Sequence, residues 1–279
     1  MNPITLTIDL EDPTENYAPN GRYVTMARQT LDLCDALRCR ATFFTVGRVA
    51  IAAPNLVKEI AGHGHEIAYH SHAHVALTEE NPVRFRRECR ADKFGLEQLA
   101  GKPVLGFRAP RFSLMPQTAW ALDTLREAGF RYSSSIMPTG LSLYGFPNAP
   151  RAPFLWPNGL IELPLPVGEL GPLRVPYLGG IYLYALPGFA TRWFLGRATP
   201  REVLWTYAHP YDFDTQESFA PMPHTPPWIS LALWLARRQA RPKIERILAN
   251  GSAPPLGERV LEPGFAKDLA IYPAQAKSV

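Results

Sequence analysis

Along the first 130 residues, short blocks of β-branched and aromatic residues alternate with longer blocks whose apolar side chains recur every three or four positions. Residues 4–10 predict a buried strand that ends in acids. Residues 22–37 predict a helix, with Met26, Leu33 and Leu37 on one side. A second strand is predicted over 41–46, where Thr42, Phe43, Phe44, Thr45 and Val46 all favour extended backbone. A helix over 54–62 starts near Pro54 and stops at Gly62, and 66–69 is a third strand. An arginine-rich helix over 82–100 is stopped by Gly101, and 104–108 is a fourth strand. A helix over 116–128 closes at Gly129 before a short strand at 130–133. This alternation predicts an α/β fold with a parallel sheet or barrel.

The pattern changes after residue 136. Residues 136–180 are rich in Pro, Gly, Tyr and Trp and read as an irregular loop insertion carrying one strand at 160–165. Late strands are predicted at 181–185 and 203–208, and a terminal helix over 228–249 with an apolar face and an arginine-rich face. The 279-residue length suits one large domain, placed here over 1–250. Several prolines and glycines predict a loosely ordered tail over 251–279.

Hydrophobic residues make up 46% of the chain, enough for a sizeable core, and the net charge is +4. The basic residues are densest at Arg84, Arg86, Arg87 and Arg90 and at Arg237, Arg238, Arg241 and Lys243. Such runs are either solvated helix faces or surfaces that attract an anionic glycan, a diphosphate carrier or a membrane. No nucleic-acid-binding motif accompanies them. Cys34, Cys39 and Cys89 show no metal or disulfide spacing and fit reduced thiols. The N-terminus enters a strand at once, without a signal-peptide pattern. The longest apolar stretch, near 228–236, is far short of the roughly 20 residues that span a bilayer. These features predict a cytoplasmic protein, with peripheral contact at the inner membrane face as an extension.

The densest chemical signal is His70-Ser71-His72-Ala73-His74, inside a segment holding four of the 7 histidines. Imidazole is the commonest protein ligand for zinc, and His70 and His74, spaced i, i+4, can converge on one ion. Asp9-Leu10-Glu11-Asp12 ends the first strand, and three acids there need solvent, partners or a metal. One acid would complete a metal site and another would accept a proton. Arg108-Ala109-Pro110-Arg111-Phe112 follows the fourth strand, where a guanidinium can pair with a carboxylate. His209 closes the last strand, in place for a general acid. All of these residues fall just after strand C-termini, the edge where parallel α/β folds gather their sites.

In this order the motifs resemble the polysaccharide deacetylases with the NodB homology domain, carbohydrate esterase family 4. Within that family they look most like a subgroup found with bacterial exopolysaccharide loci. The matching stretches are residues 9–12, 64–74, 108–113, 132–135, 179–187 and 209–212. The resemblance implies a distorted (β/α) barrel of seven or eight units. It also implies one divalent metal, zinc by default, with cobalt and nickel as alternatives. Position by position, Asp9 is the catalytic base, Arg108 holds it charged, and His209 is the general acid. His70 and His74 are metal ligands, completed by either Glu11 or Asp12. Pro110, Phe112, Tyr132, Tyr182 and Tyr211 are substrate contacts, and backbone N–H groups within 132–135 are candidates for holding an oxyanion.

The implied activity is hydrolysis of the acetamide of an N-acetylated glycan or glycan precursor to a free amine and acetate. The alternatives are hydrolysis of another linear amide on the same scaffold, or an inactive carbohydrate-binding barrel. The chain departs from the subgroup at Ser133, where Asp is usual, at Tyr211-Asp212, in place of Trp-Glu, and at Tyr184, in place of Arg. His63, His65, His72 and His224 receive no role. The glycan, its carrier and the oligomeric state stay open.

Overall fold

The computed structural model describes residues 2–140, 145–221, 225–249 and 251–273. Its first half follows the alternation closely. β1 (Thr5–Leu10), β2 (Thr42–Thr45) and β3 (Glu66–Tyr69) are separated by α1 (Arg22–Ala36), α2 (Gly47–Ala52) and α3 (Pro54–Gly62). α4 (Pro82–Ala100), β4 (Gly106–Phe107), α5 (Trp120–Glu127) and β5 (Tyr132–Ser133) follow. The middle contributes β6 (Phe154–Leu155), β7 (Ile161–Glu162) and a separate hairpin of β8 (Val167–Leu170) and β9 (Leu173–Pro176). Then come α6 (Gly180–Ala185), α7 (Gly188–Leu195), β10 (Trp205–Ala208), α8 (Pro227–Ala236), α9 (Ala240–Leu248) and α10 (Leu256–Leu261).

The main sheet has the order β10-β1-β2-β3-β4-β5-β7-β6, parallel throughout except for the β6–β7 pair. It is a curled α/β half-barrel, open between β10 and β6 among the described residues. Every residue of β1 is buried, as expected of a parallel strand covered on both faces. Its side chains alternate: Leu6, Ile8 and Leu10 join the larger core beneath the helices. Thr5, Thr7 and Asp9 therefore face the opposite way, towards the barrel interior, where Phe44, Ala68, Trp205 and Tyr207 form a second cluster. That two-residue period carries the Asp9 carboxylate into the barrel rather than under a helix.

Three expectations change. Residues 181–185, read as a strand, form helix α6 instead. Gly179 and Gly180 adopt φ of 102° and 52° and press against Tyr207, so close that a Cβ on Gly179 would lie 2.2 Å from the Tyr207 ring. The chain thus turns away from the sheet before its apolar run begins. Within 136–180, where irregular loop was expected around one strand, β6 and β7 extend the sheet and β8 and β9 pair as a hairpin.

The segment after residue 250, expected to be loose, closes the end of the barrel opposite the histidines. Leu256 and Val260 of α10 enter the interior cluster. The Leu256 N–H donates to Thr42 at 2.9 Å and the Gly257 N–H to Glu66 at 2.8 Å. Inward-facing polar groups at the strand N-termini need hydrogen-bond partners, and this segment supplies them. Residues 274–279 and His224 lie outside the described residues.

Candidate active site and metal centre

The loops leaving β1, β3, β4 and β10 converge on a cavity of about 330 Å³. Its floor holds Asp9, Glu11, His70, His74 and His209. Glu11, His70 and His74 each offer a ligand atom, all within 4.8 Å of one another. His74 Nε2 lies 2.6 Å and His70 Nε2 3.6 Å from Glu11 Oε2. The loop reaches this shape through left-handed backbone at Ser71 (φ 63°) and His74 (φ 57°). Such non-glycine conformations persist where surrounding contacts enforce them. Here the Gly47 and Arg48 N–H groups bond to the carbonyls of Ser71 and His72, both at 2.9 Å. The His72 ring is held by Asp92 of α4 at 3.0 Å, so it braces the loop from outside.

These residues fit a divalent ion. His70 Nδ1 sits 2.8 Å from the Arg108 carbonyl, which makes that nitrogen the N–H and leaves the Nε2 lone pair facing Glu11. Glu11 Oε2 is buried with no polar partner beyond the His70 and His74 imidazole nitrogens, an unusual state for a carboxylate oxygen. Two imidazoles and a carboxylate form a zinc-type donor set with positions left for water and substrate. Burial would raise the Glu11 pKa, but the neighbouring imidazoles of His74, His209 and His70 outweigh it and hold the carboxyl well below its ordinary value. Asp12 is arranged differently: its Oδ1 accepts from the N–H and hydroxyl of Thr14, at 2.9 and 2.8 Å. It rims the cavity and closes a turn, away from the imidazole pair.

Arg108 is wholly buried and donates to Asp9 Oδ1 at 2.6 Å and to Thr7 Oγ1 at 2.9 Å. Its guanidinium lies between the Phe44 and Trp205 rings, 3.9 and 4.3 Å from their centroids. Burial lowers the pKa of this group and the Asp9 charge opposes the shift. Buried ion pairs are held by geometry and further hydrogen bonds, and Ser134 adds two acceptors through its carbonyl and hydroxyl.

His209 Nδ1 contacts Asp212 at 2.9 Å, and its ring stacks on Tyr211 with centroids 4.6 Å apart. Burial would depress its pKa, but Asp212, Glu11 and Asp9 overcome this and raise it to about 9. Tyr211 donates to Glu11 Oε1 at 3.1 Å, and Tyr184 donates to Asp212 at 2.8 Å. Two departures from the family pattern, Tyr211-Asp212 and Tyr184, thus form one network around His209.

Phe112, Tyr182 and Tyr211 line the cavity, whereas buried Pro110 does not. Tyr132 does not reach it. Its side chain is fully buried and its hydroxyl bonds Glu66, at the far end of the barrel, at 3.0 Å. Nor does the 132–135 turn present oxyanion donors at Ser134 and Ser135. The Ser134 N–H bonds the Phe107 carbonyl at 2.8 Å and the Ser135 N–H bonds Glu162 at 2.7 Å. Sequence reasoning left Arg111 and Met137 unassigned, yet both line the cavity. Arg111 sits in a left-handed turn (φ 57°) that no local signal announced.

Residues 3–133 match the polysaccharide deacetylase family model, and residues 134–253 match a domain of unknown function, DUF3473. A peptidoglycan-N-acetylglucosamine deacetylase of Bacillus cereus is 33% identical over 94 residues, covering 33% of this chain and 34% of the relative. The chain spans 54% of a second B. cereus protein of that description, at 28% identity over 128 residues. Among solved structures, an allantoinase superposes with a TM-score of 0.57 at 14% identity, covering 91% of this chain and 87% of the other. A family 4 carbohydrate esterase from Streptomyces lividans gives 0.50 at 16% identity, covering 89% and 88%. These structural likenesses establish the fold, and the family model, matched over the strands that carry Asp9, Glu11, His70, His74 and Arg108, identifies residues 3–133 as a polysaccharide deacetylase domain of the NodB homology type.

Proposed function

We propose that this protein is a metal-dependent de-N-acetylase that hydrolyses the acetamide of an N-acetylated sugar, in a glycan or glycan precursor, to the free amine and acetate. The observation that carries this reading is the buried Glu11 oxygen whose polar neighbours are two imidazole nitrogens and nothing else. Glu11, His70 and His74 would hold one divalent ion, zinc by its donor set. When bound, that ion supplies Lewis acidity towards the amide oxygen and acidifies a water. Asp9, paired with Arg108, takes the proton from the attacking water. His209, cationic at neutral pH and steadied by Asp212, gives a proton to the nitrogen as the C–N bond breaks. Phe112, Tyr182 and Tyr211 offer apolar faces to the sugar ring.

The family of the matched model and the names of the B. cereus relatives support the substrate class. The companion DUF3473 segment is compatible with the exopolysaccharide subgroup. Three buried free cysteines suit a reducing compartment and support a cytoplasmic reading.

The test pairs elemental analysis with an acetate-release screen across free, nucleotide-linked and lipid-linked N-acetyl sugars. Wild type is expected to hold about one metal per chain and release acetate from one class. His70→Ala and His74→Ala should lose both. Equal metal content in all three proteins would remove the site, and full occupancy without acetate release would favour the inactive barrel.

A further inference from the structure

α8 is inverted for a surface helix. Its one polar residue, Ser230, is buried, while Trp228, Leu231 and Leu235 are 73%, 42% and 52% exposed. Globular proteins normally turn the apolar stripe of such a helix inwards. The three exposed residues recur at i, i+3 and i+7 and so form a single stripe. On α7, Phe189 and Trp193 are 70% and 42% exposed and share another.

The charge around these stripes is one-sided. α6 to α9 and the turn joining α8 to α9 carry Arg192, Arg237, Arg238, Arg241, Lys243 and Arg246 against a single acid, Glu245, which pairs with Arg241 at 2.8 Å. Arg192, Arg238 and Arg246 are exposed. Two of them converge: a methyl group on Gly188, at the start of α7, would meet Arg246 Nη1 at 3.4 Å and Arg192 Nη1 at 4.0 Å. Like charges gather this way where an anion compensates them.

The position matters as much as the composition. Thr225, just before α8, lines the active-site cavity, as do Ile181 and Tyr182 of α6, and α6 packs against both α8 and α9. Apolar and cationic surface therefore borders the cavity mouth.

We propose that α7 and α8 form a membrane-docking face. Trp228, Leu231, Leu235, Phe189 and Trp193 enter the boundary between headgroups and acyl chains of an anionic bilayer, while Arg192, Arg238 and Arg246 meet its phosphates. Tryptophan and leucine flanked by arginine is the chemistry of interfacial helices. A second copy of the chain fits less well, since a two-fold partner would bring the same cations face to face. No helix among the described residues is long and apolar enough to cross a membrane, so this contact is peripheral. Docked this way, the cavity opens beside the bilayer, where a lipid-carried N-acetyl sugar is presented; that last step rests on the deacetylase reading.

Co-sedimentation of the full chain with vesicles tests the face without reference to activity. Binding to phosphatidylglycerol–phosphatidylethanolamine vesicles should exceed binding to phosphatidylcholine vesicles by at least ~10-fold and fall with salt. W228E/L231E/L235E should abolish it, and R192E/R246E should weaken it on anionic vesicles alone. The triple variant should keep wild-type acetate release from a soluble substrate, so loss of docking and loss of catalysis are read separately. Undiminished binding by the triple variant would overturn the proposal. So would a wild type that binds no vesicles, or a concentration-dependent dimer that the same substitutions dissolve.

Discussion

Strand β3 carries buried chemistry at both ends, and the two ends behave in opposite ways. At its start, Glu66 accepts from Thr42 Oγ1 at 2.7 Å, Tyr132 at 3.0 Å and the Gly257 N–H at 2.8 Å. All its donors are neutral, so burial prevails and the pKa rises above the ordinary value. Just past its end, His70 meets Glu11, which has one oxygen met by imidazoles alone and a lowered pKa. A buried carboxylate saturated by neutral donors is structural, whereas one held ionised with an oxygen left over is poised for a cation. The histidines divide in the same way. His65 Nδ1 accepts the Ala41 N–H at 3.0 Å, so this ring is a neutral part of the core. His70 gives its Nδ1 to a carbonyl and keeps Nε2 for the cavity.

The largest effect that would break this comparison is at the cavity end. Asp9→Asn should retain metal yet lower the rate of acetate release by about 10²–10⁴-fold, as loss of a general base does. An active Asp9→Asn protein with normal metal content would remove Asp9 from that role.

Arg108→Met comes next. It strands the Asp9 carboxylate in the interior and should cost about 3–5 kcal/mol in urea denaturation, besides lowering activity. Unchanged stability would mean that the Phe44–Trp205 sandwich, rather than the ion pair, holds this part of the barrel.

At the far end the expected effects are on stability alone. Burial, aided by His63, lowers the His65 pKa to about 4 from 6.5. The unfolded chain therefore binds the extra proton between these values, and stability is present above pH 6.5 and lost as pH falls towards 4. The ceiling is about 3 kcal/mol at 1.36 kcal/mol per unit. His65→Asn, which retains an acceptor for Ala41, should flatten this acid limb in thermal melts without altering turnover. A steep limb persisting in the variant would place its origin elsewhere.

The smallest effect is expected at Glu66. With its folded pKa raised, its contribution is fully present below the unfolded pKa and declines as pH rises through the folded value. Glu66→Gln should leave activity intact and change stability at neutral pH by no more than about 1 kcal/mol. A marked loss of turnover would show that the two ends are coupled through the strand.

Much of this was legible in the chain itself. The boundaries 54–62, 66–69 and 82–100 agree with α3, β3 and α4 because Pro54, Gly62 and Gly101 punctuate them and the apolar period is local information. The grouping of Asp9, Glu11, His70, His74, Arg108 and His209 follows from all of them lying at or just past strand C-termini in a parallel α/β order. Other features depend on contacts between distant residues. Glu11 and Asp12 are adjacent, and only the three-dimensional path turns one towards the imidazoles and the other onto Thr14. The motif puts Tyr132 with the substrate contacts, yet strand pleat and its bond to half-buried Glu66 aim it the other way. The 181–185 run has strand composition, but the glycine turn against Tyr207 makes it a helix. The prolines and glycines after residue 250 carry no local signal of order; contacts with the barrel end order that segment. Local periodicity and punctuation set which elements form; which face of each is buried, and which polar atom is left unpaired, is a property of the assembled whole, because hydrogen bonds and charges are satisfied across hundreds of residues of sequence.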